Sequence, residues 1–227
     1  MIADYGRTVC VIPAYQAART IESVVHGLRS AVPDAAVIVV NDGSTDATAA
    51  AARGCADAVL SFRENRGKGA ALRLGFESAL RRGAQSVLTI DADGQHDPAS
   101  APALLDALTD ADVAIGTRAR RGTTMPLGRR LTNHLASTAV SAIARISIPD
   151  PQSGYRAFRR VVLERVKAAG QRYEYETELL IRAAAAGFRI VGIPVATTYG
   201  APSHFRALSD SVRVVRTIWR HRARVEP

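Results

Sequence analysis

Cysteine is scarce in this chain, and its scarcity excludes two classes of protein. The 227 residues include only Cys10 and Cys55, and Cys10 lies inside an apolar run. Two cysteines supply neither the disulfide framework of a small secreted protein nor the thiolate cluster of a structural zinc site. We therefore expect a reducing compartment, in which Cys10 is a small residue of the core.

Long apolar runs and aromatic residues are also in short supply. No stretch approaches the roughly 18 apolar residues of a membrane-spanning helix, and residues 1–5 lack the basic and apolar regions of a signal peptide. Aromatic residues make up 5% of the chain, and no aromatic platform with interleaved basic residues is present for stacking nucleic-acid bases. We expect a cytoplasmic protein that binds no nucleic acid.

The composition is that of a globular protein with a strongly basic balance. Hydrophobic residues make up 47% and charged residues 22%, which is typical of a chain with a sizeable core. The net charge of +9 favours an anionic partner, such as a phosphorylated substrate or an anionic membrane face. Because no repeat, linker or low-complexity tract interrupts the chain, we expect residues 1–227 to form one domain.

Short apolar runs alternate with helical patterns through the first half of the chain. This alternation predicts an α/β fold with an open, doubly wound, mostly parallel sheet flanked by helices. We expect Pro13 to end the first strand and Thr20 to cap the first helix. The five predicted strands cover residues 8–12, 36–40, 56–61, 86–90 and 112–116.

The second half contains longer helical patterns and two polar loops. Residues 150–156 are expected to form a loop before an apolar turn, and residues 188–195 a further strand. The predicted helices cover 127–146, 173–186 and 207–222. The last is amphipathic and basic and carries Trp219, so it either packs on the sheet with a solvated basic face or lies on anionic lipid. His134, in the first of these helices, is expected to be solvated.

An acidic pair follows the fourth predicted strand. Asp91 and Asp93 stand two residues apart, and Gln95 follows after a glycine. Two close carboxylates repel each other unless a cation lies between them. Oxygen ligands of this kind suit Mg²⁺ or Mn²⁺ shared with the phosphates of a substrate. The alternative is that the two side chains only cap a helix or form a turn.

Two further loops have the character of a nucleotide site. Asp42 directly follows the second strand, where it could bind a base or ribose or simply belong to a turn. Lys68 lies between two glycines at a helix start, which suits either a phosphate cradle or a close helix–sheet approach. The dinucleotide-binding GxGxxG pattern and the GxxxxGK phosphate loop are both absent.

Five segments in this order resemble a family 2 glycosyltransferase of the GT-A fold, and specifically the dolichyl- or polyprenyl-phosphate mannose or glucose synthases. The resemblance covers nearly the whole chain. It implies a nucleotide-sugar donor, a Mg²⁺ or Mn²⁺ cofactor and a polyprenyl-phosphate acceptor. It further implies that residues 1–118 bind the nucleotide-sugar and residues 119–227 the acceptor. The segments are residues 12–15, 40–44, 65–69, 91–96 and 153–156.

The resemblance also implies site residues. Asp91, Asp93 and Gln95 would hold the metal, and Asp93, Arg118 and Arg206 would be catalytic. Whether His204 or Arg206 is the cation of the loop that closes over the diphosphate is open. The implied contacts to the nucleotide-sugar are Pro13, Ala14, Tyr15, Val40, Asp42, Lys68, Asp91, Ala92, Asp93, Arg118, Ser203 and His204.

The acceptor decides whether the reaction needs a base. A monoester phosphate, whose second pKa is about 6, is largely ionised at pH 7, whereas a hydroxyl needs a carboxylate such as Glu176 or Glu178. Both glutamates lie near a helix start, where a carboxylate is more often a partner of the helix dipole. We predict an inverting transfer to a polyprenyl phosphate, by a protein peripheral to an anionic membrane face or partnered by a separate membrane protein. The alternative is transfer to a soluble hydroxyl acceptor.

Two functions from other classes are disfavoured. A non-catalytic nucleotide- or nucleic-acid-binding module would leave the acidic pair unexplained. A sugar-1-phosphate nucleotidyltransferase would need a glycine-rich loop with a basic end after the first strand, and the chain has none there.

Overall fold

The computed structural model describes residues 7–118, 149–170, 172 and 174–197. Seven strands of this part of the chain form one sheet in the order β3-β2-β1-β4-β6-β5-β7. Neighbouring strands are parallel except at β6, which is antiparallel to both β4 and β5. The strands are β1 Thr8–Ala14, β2 Ala36–Asn41, β3 Ala58–Ser61, β4 Ser86–Thr89, β5 Val113–Arg118, β6 Arg156–Arg159 and β7 Ile190–Val195.

Helices cover both faces of the sheet. Short 3₁₀ turns at Pro98–Ser100 and Ala107–Thr109 flank the fourth helix. The α-helices are α1 Ile21–Ala31, α2 Thr48–Arg53, α3 Lys68–Arg81, α4 Ala101–Asp106, α5 Arg160–Arg165 and α6 Glu174–Ala185. The predicted open, mostly parallel sheet with flanking helices is confirmed.

Strand alternation divides the core into two layers. Val9 and Val11 of β1 pack with α3, α5 and α6, whereas Cys10 and Ile12 pack with α1 and α4 on the opposite face. Successive side chains of a strand point to opposite faces, so a fully apolar strand feeds both layers. Cys10 is completely buried, as predicted, and burial raises the pKa of its thiol to about 12.

The interpretation of residues 150–156 as a loop leading only to an apolar turn is wrong. Its last residue, Arg156, begins β6, which inserts between β4 and β5 and runs against them. The strand was missed because it is four residues long and has arginine at both ends. Arg156 is 1% exposed, so a charged residue occupies a position where a sequence pattern favours an apolar one.

Two predicted element ends also need correction. β1 continues through Pro13, which lies in register opposite Val40. Proline is tolerated because its missing N–H faces the β4 side, where the ladder ends at the pair of Val11 and Thr89. Thr20 is the N-cap residue of α1 but makes no side-chain cap; its hydroxyl donates to the Ala92 carbonyl at 2.5 Å instead.

Several predictions of the second half lie outside the described residues. They include the helices at 127–146 and 207–222, His134 and Trp219. Within the part of the chain that the structure does describe, no helix combines the length and apolar character needed to cross a membrane.

Candidate functional site

The ends of the parallel strands meet at one edge of the sheet. β1 lies between β2 and β4, so the strand order reverses at β1, and ligands of open α/β sheets bind beyond the strand ends at such a point. Residues before the reversed strand β6 reach the same edge, since Thr89 is in register with Arg156. The hydroxyl of Thr89 donates to the Gly154 carbonyl at 3.0 Å and fixes that approach.

Asp91 is bound to a lysine from another element. The Lys68 ammonium, at the start of α3, lies 2.5 Å from Asp91 Oδ1 and 2.9 Å from Glu176 Oε2. Burial raises the pKa of the Asp91 carboxyl, but Lys68, His96 and Arg156 together outweigh burial, so the net shift is downward. The same two carboxylates raise the pKa of Lys68 against the opposing effect of burial. The site therefore contains a charged lysine that bridges two carboxylates.

Arg156 anchors the other side of this bridge. Its Nη1 lies 3.6 Å from Glu176 Oε1 and donates to the Glu176 carbonyl at 3.1 Å. Its remaining donors bind the carbonyls of Ser153 at 2.7 Å and Pro151 at 2.8 Å. These bonds satisfy a buried guanidinium and tie the first turn of α6 to the loop before β6.

Gly154 allows this loop to pass directly over Asp91. A Cβ at residue 154 would lie 2.4 Å from Asp91 Oδ2 and 2.5 Å from its Cγ. Any side chain there would displace the carboxylate. Glycine is therefore required by the close approach of the backbone to the Asp91 carboxylate.

Asp93 lies in a tight turn. Its Oδ1 accepts a hydrogen bond from the Gln95 N–H at 3.0 Å, and Gly94 between them has φ of +71°. The turn interpretation left open by the sequence thus describes part of the Asp93 environment. The helix cap belongs to another residue, since Asp97 accepts from the Ala99 N–H. Burial, and next the charge of Asp91, raise the pKa of the Asp93 carboxyl.

These residues have the donor chemistry that a hard divalent cation needs. Asp91, Asp93 and Gln95 bring carboxylate and amide oxygens to one turn at the strand end. In the described residues, no three His, Cys, Asp or Glu side chains form a complete metal cluster. Mg²⁺ usually takes only one or two carboxylates and completes its shell with substrate phosphates and water. The donor set therefore fits a cation that binds together with a diphosphate.

Asp42 was predicted to contact the nucleoside, and in the structure its carboxylate binds the backbone of a neighbouring loop. It is 3% exposed, and its two oxygens accept from the backbone N–H groups of Arg66 at 2.7 Å and Gly67 at 2.9 Å. Asp42 thereby fixes the loop that leads into α3 and Lys68. Its contact with the nucleoside remains a prediction.

Gln16 clamps the loop after β1 to the loop after β2. Its side-chain oxygen accepts from the N–H groups of Thr45 at 3.1 Å and Asp46 at 3.2 Å, and its amide nitrogen donates to the Thr45 hydroxyl. The neighbouring Tyr15 is 42% exposed at the same edge. An exposed ring beside a fixed loop is available to stack on a nucleotide base. Tyr15 therefore remains a candidate contact to the nucleotide-sugar.

The other predicted contacts fall into three groups. Ala14, Val40 and Ala92 are buried, so only their backbones could face a ligand, while Pro13 is partly exposed. Arg118 ends β5 opposite Val195, which places its backbone at the carboxyl edge. The remaining residues, Ser203, His204 and Arg206, lie outside the described part of the chain.

The sequence interpretation missed the part played by Glu176. This residue was considered as a base or as a partner of the helix dipole, yet it is 6% exposed and paired with Lys68 and Arg156. Glu178, the other candidate base, accepts from the N–H groups of Ala169 and Gly170 and pairs with Arg182 at 2.7 Å. The dense acidic pattern at the start of α6 was the available signal, but it does not reveal which cations face it.

Comparison with known proteins gives a family match. Residues 9–167 match the model described as glycosyl transferase family 2. A polyprenol monophosphomannose synthase of Mycolicibacterium smegmatis is 35% identical over 205 residues, covering 85% of this chain and 77% of the relative. An undecaprenyl-phosphate mannosyltransferase of Micrococcus luteus is 32% identical over 202 residues, covering 83% of this chain and 82% of the relative.

Solved structures share the fold at lower identity. A glucosyl-3-phosphoglycerate synthase of Mycobacterium tuberculosis, crystallised with Mn²⁺, uridine diphosphate and glucosyl-3-phosphoglycerate, superposes with a TM-score of 0.77. It is 22% identical, and the match covers 99% of this chain and 84% of that one. The seven-stranded sheet with its flanking helices is thus a GT-A fold.

Proposed function

The chain belongs to glycosyl transferase family 2, and from that membership we propose that it transfers a sugar from a nucleotide-sugar to a polyprenyl monophosphate. It is a glycosyltransferase; the lipid phosphate is the proposed acceptor. The observation that carries the proposal is the pairing of every candidate base in α6 at a site otherwise suited to a diphosphate. Relatives named for polyprenol- and undecaprenyl-phosphate mannose transfer support the same acceptor.

The acceptor argument depends on which carboxylates are available. Glu176 is held by Lys68 and Arg156, and Glu178 is held by two backbone N–H groups and Arg182. A carboxylate stabilised by cations and donors is a poor proton acceptor. A phosphate monoester needs none, because its oxygen is already ionised at neutral pH. A hydroxyl acceptor, the alternative, would require a base from outside these residues.

The residues at the sheet edge would act on the leaving diphosphate. As the anomeric carbon is attacked from the opposite side, the bond to the diphosphate breaks and its oxygen gains negative charge. Asp91, Asp93 and Gln95 would hold a Mg²⁺ or Mn²⁺ ion, which supplies positive charge against that oxygen. We propose that Arg118 and Arg206 donate to the same phosphates. A preorganised donor of this kind contributes about 3 kcal/mol to the transition state.

The basic charge of the chain supports a position at an anionic membrane face. Each lysine or arginine near such a surface contributes about 1 kcal/mol of attraction at physiological salt, and the net charge is +9. We expect the full chain to co-sediment with vesicles rich in anionic lipid and to dissociate in 1 M salt. Equal binding to neutral vesicles would contradict an electrostatic attachment.

The metal assignment is tested with Asp93→Asn. This variant keeps an oxygen for the Gln95 N–H, so the turn should persist while the negative charge is lost. We expect the thermal stabilisation by Mn²⁺ with UDP or GDP, about 2.7 kcal/mol at a hundredfold excess over Kd, to disappear together with transfer.

The matched control for this test is Asp97→Asn. Asp97 lies in the same loop and also accepts a backbone N–H, from Ala99 at 2.9 Å. It should keep full stabilisation by metal and nucleotide. Wild-type metal-dependent stabilisation in Asp93→Asn would remove Asp93 from the metal site.

A further inference from the structure

Lys68 joins carboxylates from two different elements. Its ammonium is 2.5 Å from Asp91, after β4, and 2.9 Å from Glu176, in the first turn of α6. The Lys68 side chain is 15% exposed and that of Glu176 is 8% exposed. Arg156 completes the row on the far side of Glu176, with its side chain 2% exposed. Charges of alternating sign therefore run from the acidic pair into the core.

This arrangement places a resident cation on a proposed metal ligand. A divalent ion and an ammonium at the same carboxylate oxygen repel each other, and partial burial weakens the screening of that repulsion. Metal binding at Asp91 must therefore weaken the contact between Asp91 and Lys68. An ammonium released into a buried position without an anion would be costly. Glu176 removes this cost, because it already contacts Lys68.

We propose that Lys68 is the counter-cation of Asp91 in the ligand-free enzyme and that Glu176 retains it when a divalent cation takes its place on Asp91. The inference rests on the proposed function, since it assumes that the metal binds Asp91. Glu176 is a positioning residue in this scheme, acting through Lys68. Arg156 holds Glu176 in place from the core side through its 3.1 Å bond to the helix backbone.

The scheme makes metal binding without nucleotide unfavourable. In the empty enzyme Asp91 is already neutralised, so free Mn²⁺ gains little by replacing the ammonium. Binding with a nucleotide differs, because the diphosphate adds oxygen ligands to the metal and anionic oxygens near Lys68. Metal and nucleotide should therefore bind cooperatively, and Lys68 should contribute to that cooperativity.

The test is a titration of the full chain with Mn²⁺ in the absence of nucleotide, with free Mn²⁺ followed by electron paramagnetic resonance. Lys68→Met removes the competing cation and should tighten Mn²⁺ binding about tenfold, which corresponds to about 1.4 kcal/mol. Glu176→Gln removes the retaining carboxylate and should weaken binding. In the double variant the effect of Glu176→Gln should shrink at least threefold, because no ammonium remains to be retained.

Three controls separate this role from a structural one. Lys68→Arg keeps the charge and should retain the weak binding of the wild type. Lys68→Gln removes the charge but keeps a hydrogen-bond donor, and it replaces Lys68→Met if that variant fails to fold. Glu178→Gln removes a neighbouring carboxylate of α6 that has other partners, and it should leave the Mn²⁺ affinity unchanged.

Two results would overturn the inference. One is an unchanged or weakened Mn²⁺ affinity in folded variants without a charge at residue 68. The other is a Glu176→Gln effect of equal size with and without Lys68, which is the mark of a general structural role. Failure of the proposed metal site itself is seen separately, as nucleotide-dependent Mn²⁺ binding that survives Asp93→Asn.

Discussion

At the scale of single residues, the segment from Ser153 to Arg156 has a structural reason at every position. Ser153 is buried and its hydroxyl accepts from the Tyr155 N–H at 3.3 Å. Gly154 passes over the Asp91 carboxylate. Tyr155 is buried and its hydroxyl donates to the Pro98 carbonyl, while Arg156 holds α6. The segment therefore connects the acidic turn, the 3₁₀ turn before α4 and the first turn of α6.

Gly154→Ala tests whether the position of Asp91 matters. The new methyl group would lie about 2.5 Å from the carboxylate, so Asp91 must move or the loop must lift; overpacking of this kind costs about 1–3 kcal/mol. We expect loss of most transfer activity and of stabilisation by metal and nucleotide. Both are measured by activity assay and thermal unfolding with Mn²⁺ and UDP or GDP.

The control for this substitution is Gly54→Ala. A Cβ there would meet only the Ala51 carbonyl, at 3.4 Å, and Gly54 has φ of −73°. The Gly54→Ala variant should have the unfolding temperature of the wild type and the same stabilisation by metal and nucleotide. Unchanged nucleotide and metal binding in Gly154→Ala would show that the site does not depend on Asp91 in its observed position.

At the scale of elements, Asp57 joins a strand and a helix at the edge of the sheet away from the site. Asp57, just before β3, accepts from the Val37 N–H at 2.7 Å and from Arg29 Nη2 at 2.9 Å. It thus links the start of β2 to the last turn of α1. Burial raises the pKa of Asp57, but the Val37 N–H and Arg29 outweigh it, so the pKa is lowered.

A lowered carboxyl pKa fixes the sign of a pH dependence. The contribution of Asp57 to stability is present above the usual aspartate pKa of about 3.9, and it is lost as the pH falls through the lowered value of the folded state. Asp57→Asn should reduce the free energy of unfolding by about 1 kcal/mol at pH 7. Urea unfolding from pH 7 to pH 2.5 should show this difference shrinking below pH 4.

The control here is Asp34→Asn, which changes an exposed aspartate in the loop before β2. It should have almost no effect at any pH. A difference between wild type and Asp57→Asn that grows as the pH falls would contradict the proposed role of the charge.

Some of the secondary-structure elements could be predicted from the sequence and others could not. Apolar runs of four to six residues identified the parallel strands and the edge that carries Asp42, Asp91 and Asp93. β6 could not be found in this way, because the burial of Arg156 depends on its bonds to the carbonyls of Ser153 and Pro151 and on its ion pair with Glu176. The Lys68 bridge was missed for the same reason. The ion pairs of Glu176 with Arg156 and Lys68 join residues far apart in the chain, and local periodicity carries no record of them.

At the scale of the whole molecule, we propose that donor binding and acceptor binding lie on two sides of one sheet. The loops after β1, β2 and β4 form the edge proposed for the nucleotide-sugar, with Tyr15 exposed and Asp42 fixing the approach to Lys68. The segment before β6 and the first turn of α6 close the other side through Arg156 and Glu176. In the proposed transfer reaction, the polyprenyl phosphate would approach the sugar from this second side.

The central claim is that an ionised lipid phosphate receives the sugar. Its most direct measurement is transfer from radiolabelled GDP-mannose and UDP-sugars, with Mn²⁺, to polyprenyl monophosphate or to the matching polyprenol. We predict labelled lipid with the phosphate only, from one of these donors, and its loss when EDTA is added. Labelled polyprenol at a comparable rate, or transfer to a soluble hydroxyl acceptor without any lipid phosphate, would contradict the account.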